Sequence, residues 1–422
     1  MIYALPIDWK PNEVRMLKKL LSATCLMTAA CASTPAPDVE MTSEEAEALY
    51  LQRFESLRDR TGASGLPAYD NLKPVEGAAV IQAFDRSDAP EAVLSPETIE
   101  SAIEFAAANN SSSLIIWQNG EIISETYFGE ATPETLLVSK SLAKPLSVVA
   151  VGRALAEGYI DSLDEPMSNY ITEWQGTDRE AIRIRDVLGM HSGLLPQAGA
   201  FEPENVLNRA YLHPFHERVI IDDYPMVTEP GVTYAYSNAN GDLVAPLIER
   251  ATGMGYADWL TVGVFEPLGS AGGEIWFNRD GGVPHSGCCA MLPAETYLRL
   301  AVLLVQDGVW EGEQLLSPEF IADIKAPGPG FPNAGMGVYL GSPYSPFLNP
   351  SGPDPEIYLS GTPQSEPFLA DDVFFFDGNS NQVAYMVPSE DLVILRTGSW
   401  PPEEPGWDNA VLPNMILEDL QD

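Results

Sequence analysis

Residues 137–148 read LVSKSLAKPLSV, with three serines and two lysines threaded through apolar residues and a run of apolar and small residues, Leu146 to Ala156, behind them. A serine becomes a nucleophile when a partly desolvated lysine amine lies on the same helix face, because burial lowers the amine's pKa toward neutrality. Neighbours on a face are one turn apart. Ser141 meets that spacing with Lys144, whereas Ser139 would need Leu142 and Ser147 would need Ala150. Pro145 supports the placement, since proline fits the first helical turn, so the helix begins near Ser139 to Ser141. The unpaired N–H groups and the dipole at such a start favour negative charge developing on a substrate oxygen. Ser139, Lys140 and Ser147 are read as cap, surface and packing.

A second element lies about ninety-five positions on. TYAYSNANG, Thr233 to Gly241, follows the turn EPG at Glu229 to Gly231 and runs into a helix from Asp242 to Ala251. A tyrosine at Tyr236 held near the serine–lysine pair can relay a proton between nucleophile and leaving group, and Asn238 can orient the lysine or a substrate carbonyl. Other chemistries lack their motifs: there is no zinc-type H-E-x-x-H, no Walker loop and no G-x-S-x-G elbow. The four histidines, His191, His213, His216 and His285, are read as surface or core residues, and neither a metal nor a cofactor is expected.

SLAK followed by YSN resembles the serine hydrolases with the class C β-lactamase fold, a group that includes esterases, D-amino-acid peptidases and hydrolases of the 6-aminohexanoate-dimer type. The resemblance runs from about Ala107 to Gly398. LIIWQNGEIISETYFG is similar to the paired strands before the nucleophile, GRALAEGYIDSLDEPMSNYI to the segment after it, and IRIRDVLGMHSGL to a stretch ending in S-G-L. It implies an α/β fold of the β-lactamase/transpeptidase type, an antiparallel sheet flanked by helices with an inserted, mainly helical domain. It also implies Ser141 as the acylated nucleophile, Lys144 as its activating partner and Tyr236 as general acid/base, acting on a small ester or amide. The family's third motif, a strand-borne K-T-G or H-x-G, is replaced here by Asn379, Ser380 and Asn381 before Gln382. The basic residue that would hold a substrate carboxylate is missing, which weighs against β-lactamase and peptidase activity. Asn379 and Gln382 remain candidate substrate-binding residues, the main-chain N–H near Gln382 completing an oxyanion hole with that of Ser141. A catalytically idle envelope protein using the fold for binding is the reading from another class, motivated by Asn381 and a long insertion.

The chain has 422 residues, 45% of them hydrophobic and 9% aromatic, enough for a sizeable core. Lys18 and Lys19, the apolar Leu20 to Ala30 and the small residues before Cys31 read as an export signal over residues 1–30. Its ending resembles a bacterial lipoprotein signal with Cys31 lipidated, although Thr28 stands where leucine is usual; an ordinary secretory signal cut nearby is the alternative. The expected location is the cell envelope, with the membrane reached through the lipid anchor alone. Formal net charge is −39, and −41 without residues 1–30. Such a balance argues against nucleic acid as a partner and against electrostatic adsorption on anionic lipid. Beyond the signal the cysteines are the adjacent Cys288 and Cys289, read as core thiols.

The expected organisation is a Pro-rich tether and surface helix over 31–60, a sheet domain from 61–155 and 291–422, and a helical domain over 156–290. The surface helix, Ser43 to Arg60, would turn Ala48, Leu51, Phe54 and Leu57 to one side. Further helices are expected at Ser95 to Ala108, Pro293 to Gln306 and Asp408 to Leu420. Strands are expected at Leu114 to Trp117 and Ile122 to Tyr127 around the turn Asn119-Gly120, and at Gln382 to Val387 and Leu392 to Thr397. A loop-rich insertion spans Ala326 to Asp371.

Overall fold

Strand formation is dense where β-branched and aromatic residues run without interruption, and those runs build one seven-stranded sheet. The computed structural model describes residues 41–58, 69–198, 200–348, 362–404 and 406–421. The expected signal, the tether and Cys31 lie outside them, as does part of the insertion. Seven strands are numbered with four others in chain order: β1 Leu72–Val75, β2 Asp85–Arg86, β3 Ser111–Gln118, β4 Glu121–Tyr127, β5 Leu137–Val138, β6 Gly273–Trp276, β7 Ala290–Leu292, β8 Tyr339–Leu340, β9 Phe374–Gly378, β10 Gln382–Val387 and β11 Leu392–Gly398. The large sheet has the order β8-β9-β10-β11-β3-β4-β2, antiparallel except where β2 meets β4. Its centre pairs β11 with β3, so strands near the two ends of the chain complete each other.

Period-two alternation divides each central strand between two cores. Leu114, Ile116, Val383, Tyr385, Leu392 and Ile394 face a layer made by helices α1 (Pro96–Ala108) and α2 (Val411–Gln421). On the opposite face Ile115, Trp117, Ala384, Met386, Val393 and Leu395 meet the larger core around helices α3 (Ala143–Ala156) and α4 (Ala294–Val305). Because both faces are covered, the strands read as continuous apolar runs. The β3–β4 turn has Asn119 and Gly120 at φ 50° and 95°, the left-handed pair that a two-residue hairpin needs. α3 ends at Glu157, with Gly158 at φ 76° closing it.

Several elements depart from the sequence reading. A second, four-stranded sheet, β1-β6-β7-β5, draws β6 from inside the span read as helical. β9, the run Phe374–Gly378, has no alternating pattern because both its faces are buried. Within the insertion, β8 joins the edge of the large sheet. The helix Ser43–Arg58 turns Ala46, Tyr50 and Phe54 inward, while Leu51 is exposed, so its buried stripe is rotated from the one expected. Tyr50 and Phe54 pack with Leu212 and Trp276, a surface supplied by residues more than 150 positions away. Cys288 and Cys289 are buried side by side, with Cα atoms 3.2 Å apart across a cis peptide.

Candidate active site

Ser141 lies in a 3-10 turn, Lys140–Leu142, that leads directly into α3. Pro145 occupies the first turn of that helix, where it deprives the backbone of no needed donor. Long-range bonds fix the turn: the Ser139 N–H donates to the Ala290 carbonyl at 2.8 Å, and the Ala290 N–H donates back to Ser139 Oγ at 3.0 Å. On the other side Gly378 of β9 lies flush against it, since a Cβ there would come within 2.9 Å of Leu142 Cδ1 and 3.2 Å of the Ser139 carbonyl. The turn that carries Ser141 is thus clamped between the small sheet and the large one.

Four of the residues singled out by sequence converge. Lys144 is 4% exposed and its Nζ donates to Gly287 O at 2.8 Å, Asn238 Oδ1 at 2.9 Å and Ser141 Oγ at 3.2 Å. Those three acceptors match the three donors of an ammonium group. Tyr236 Oη and Ser141 Oγ are 2.7 Å apart, a hydrogen bond in which either hydroxyl can donate. The ammonium also sits 4.8 Å from the centroid of the Tyr236 ring, a favourable cation–π placement. Ser237, not Asn238, caps the following helix by accepting from the Ala239 N–H at 3.2 Å, which leaves the Asn238 amide free for Lys144.

Behind Lys144 lies a layer that the sequence reading missed. Gly241 and Gly287 meet back to back: a Cβ on Gly241 would stand 2.6 Å from Gly287 Cα and 3.4 Å from Lys144 Cε. Only glycine at both positions lets the 286–287 loop bring its carbonyl to the lysine. Asp242 then holds that loop, its Oδ1 accepting from the Gly287 N–H at 2.8 Å. Burial pushes the Asp242 carboxyl up, with the charges of His216 and Lys144 and the Gly287 N–H acting the other way. His285 Nδ1 lies 3.4 Å from Asp242 Oδ2, and its ring stacks between Trp276 at 4.0 Å and His216 at 3.9 Å.

His216, Asp242 and His285 bring ligand-capable atoms within 4.8 Å of one another, the one such group of three among the described residues. Their imidazole planes are only 16° apart in the stack, so the in-plane lone pairs run parallel instead of converging on one point. Burial drives the basicity of both rings down, that of His285 to about 3. The cluster is read here as neutral packing that seats Asp242.

Two joined lobes open above Ser141. Both are lined by Ser141, Gln197, Asn238 and Asn379. The smaller, about 220 Å³, is completed by Lys140, Tyr211 and Cys288; the larger, about 660 Å³, by Tyr236, Asp377, Trp407 and Glu403. Burial raises the Asp377 carboxyl to about 7, offset by a hydrogen bond from Thr362. Asn379 is exposed at the rim, where its Oδ1 accepts from the Ser380 N–H at 3.0 Å. The Gln382 side chain is 2% exposed and lines neither lobe. It is committed to Gly398, whose N–H donates to Gln382 Oε1 at 2.9 Å and whose carbonyl accepts from Nε2, so the expected contact between Gln382 and a substrate is not seen in the geometry. Lys140, expected at the surface, is buried instead, because the turn that carries it is enclosed from both sides.

This sheet and helix arrangement is of the β-lactamase/transpeptidase type, an antiparallel sheet flanked by helices. The Beta-lactamase family model matches residues 99–408, and the chain belongs to that family. It is 21% identical over 313 residues to the 6-aminohexanoate-dimer hydrolase of Paenarthrobacter ureafaciens, covering 70% of this chain and 74% of that one. Among solved structures it is similar to a Bacillus anthracis protein carrying the provisional name 6-aminohexanoate-dimer hydrolase, with TM-score 0.63, 16% identity and coverage of 88% and 94%. It is also similar to EstCE1, a hydrolase with promiscuous acyltransferase activity, with TM-score 0.58, 17% identity and coverage of 80% and 100%. Its homologues make the chain a hydrolase of the β-lactamase family.

Proposed function

We propose that this chain is a serine hydrolase that opens an ester or linear amide bond through an acyl-enzyme on Ser141. The observation that carries the reading is the hydrogen-bonded line from Lys144 Nζ to Ser141 Oγ to Tyr236 Oη, at 3.2 and 2.7 Å. Ser141 Oγ attacks the carbonyl carbon as its proton passes into the Lys144–Tyr236 pair. Negative charge gathering on the carbonyl oxygen is stabilised by the main-chain N–H of Ser141 at the start of the helix. Collapse expels the alcohol or amine, which takes the proton from Tyr236, and water then attacks the acyl-ester by the reverse route.

The asparagine and serine residues that replace the basic third motif favour esters and linear amides over β-lactams. A fluorophosphonate probe and a p-nitrophenyl ester test the reading. Native protein should gain one probe mass and turn over the ester, and Ser141→Ala should do neither. An unlabelled, inactive native protein would refute it, and nitrocefin turnover above that of Ser141→Ala would move the substrate class to β-lactams. Export with lipidation at Cys31 is part of the same proposal. Incorporation of labelled palmitate that disappears in Cys31→Ala supports it; incorporation unchanged in that variant counts against it.

A further inference from the structure

Lys140 stands next to the nucleophile and is spent on nothing. Its side chain is 8% exposed, yet among the described residues it has neither a hydrogen bond nor an ion pair. In a chain with 61 acidic residues and 22 lysines and arginines, a buried cation without a carboxylate partner is conspicuous. Buried charges are otherwise paired, because desolvating an ammonium without a partner is costly. The backbone adds to that cost. Lys140 has φ 49°, in the left-handed region, where glycine or asparagine would sit with less strain. Neither burial nor backbone conformation favours lysine here, so its retention points to a use for the ammonium.

The surroundings indicate which use. Lys140 lines the smaller lobe together with Ser141 and is the sole ionic side chain among that lobe's described lining residues. The larger lobe has no lysine or arginine among its described lining residues and carries Glu403 at its edge, with Asp377 largely protonated up to about pH 7. Around a single serine the cleft therefore has a cation on the side of the smaller lobe and none on the other. We infer that Lys140 recognises a carboxylate on the substrate, so that the preferred substrates are esters or amides carrying a free acid group on the portion that lies in the smaller lobe. This inference rests on Ser141 hydrolysis as proposed above. Burial lowers the ammonium to about 8, with no carboxylate countering the shift, and ion pairing with the bound substrate restores the charged form. The overall negative charge repels anionic substrates at long range, and Lys140 is the local group that reverses this at the serine.

The test uses two matched ester pairs on the intact protein, so that the acid group is presented on either side of the scissile bond. One pair is p-nitrophenyl hemiglutarate and p-nitrophenyl pentanoate; the other is 4-acetoxybenzoate and phenyl acetate. The readout is the ratio of kcat/KM, acidic over neutral, within each pair. In Lys140→Gln that ratio should fall about ten-fold or more for at least one pair, the worth of one charge-assisted hydrogen bond, mainly through KM. Lys140→Arg should restore most of it. Glutarate should inhibit turnover of the neutral ester competitively, and more weakly in Lys140→Gln. Ratios unchanged in both pairs, or equal losses on acidic and neutral esters with no rescue by arginine, overturn the inference while leaving Ser141 hydrolysis intact. Failure of wild-type protein to turn over any of the four esters overturns hydrolysis and the inference together. Should Lys140→Gln fail to fold, the glutarate measurement on wild type decides: absence of competitive inhibition refutes carboxylate recognition.

Discussion

Arg396 makes a sharp test of how the cleft edge is held. It is fully buried at the end of β11 and has no acid partner among the described residues; main-chain carbonyls surround it instead. Its guanidinium donates to Ser380 O at 2.6 Å, Asn381 O at 2.9 Å, Ser399 O at 3.1 Å, Ser111 Oγ at 2.9 Å and the Asn109 carbonyl, and lies 5.1 Å from the Trp407 ring centroid. Ser380 and Asn381 form the left-handed turn, φ 68° and 56°, at the rim of the larger lobe. Arg396→Met keeps much of the volume and removes every donor. The Ser380 and Asn109 carbonyls, buried in their bonds to the guanidinium, then lose it as a partner at about 1–3 kcal/mol each. Water can reach Asn381 and Ser399. Against this, the variant is spared the burial of a cation, a burial that holds the guanidinium down at about 10. We expect a net loss of about 3 kcal/mol, a sizeable part of the roughly 5–15 kcal/mol that separates folded from unfolded protein. For a unit of this size that is a fall of about 4 °C in melting temperature. Calorimetry and ester turnover on the same preparation check it, and kcat/KM should fall more steeply than stability because the freed turn borders the cleft. A variant within ~1 kcal/mol of wild type with unchanged turnover would refute the idea that this cage organises the rim.

Three further outcomes are expected. Tyr236→Phe keeps the ring beside Lys144 and deletes only the hydroxyl 2.7 Å from Ser141 Oγ, so kcat on a p-nitrophenyl ester should drop ~10²–10⁴-fold with folding unchanged; a loss under about five-fold would remove Tyr236 from the proton path. Gly241→Ala drives a methyl to 2.6 Å from Gly287 Cα, which cannot rotate away, and should cost about 1–3 kcal/mol while shifting the Gly287 carbonyl off Lys144. Equal turnover and equal urea midpoints for that variant and wild type would show that the glycine pair is dispensable. Asp377 keeps its proton to about pH 7 when folded but releases it near 4 when unfolded, so its contribution to stability declines between those pH values and is constant above them. Asp377→Asn should therefore gain on wild type as pH rises through that window, by about 2 kcal/mol above pH 7 once residual access to water is allowed for. Parallel stability-against-pH curves for the two proteins would count against a raised Asp377.

The site was legible where its logic is local. Ser141 and Lys144 are one turn apart and Pro145 fixes the turn, so spacing singled out that pair; Tyr236 and Asn238 share a short loop and came forward through the second motif and the family resemblance it completes. What escaped depends on segments that meet only in the folded chain. Nothing near Lys140 announces burial, because the turn that carries it is held by β7 and β9 through Ser139 and Leu142. Asp242 was expected only as the start of a helix, and nothing in the sequence links it or Gly241 to Gly287, because the 286–287 loop reaches Lys144 only in the folded chain. The hairpin at Asn119-Gly120 and the strands on either side of Pro388 carried their turn chemistry with them. Phe374–Gly378, buried on both faces, had no alternation to give it away, and the helix from Ser43 showed its true inner face only against Leu212 and Trp276.

The clamp around the nucleophile turn bears on when the enzyme can first act. Ser141 is tied to Tyr236 across 95 residues, Lys144 to Gly287 across 143 and Ser139 to Ala290 across 151, and Gly378 lies later still. Contacts so distant along the chain form late, since each long loop must close before its contact contributes. A nascent chain interrupted before β9 would carry serine, lysine and tyrosine and still be inert. If Ser141 is the nucleophile proposed above, hydrolytic activity is a report on completed folding, because the Ser141–Lys144–Tyr236 line exists only once these distant segments have met.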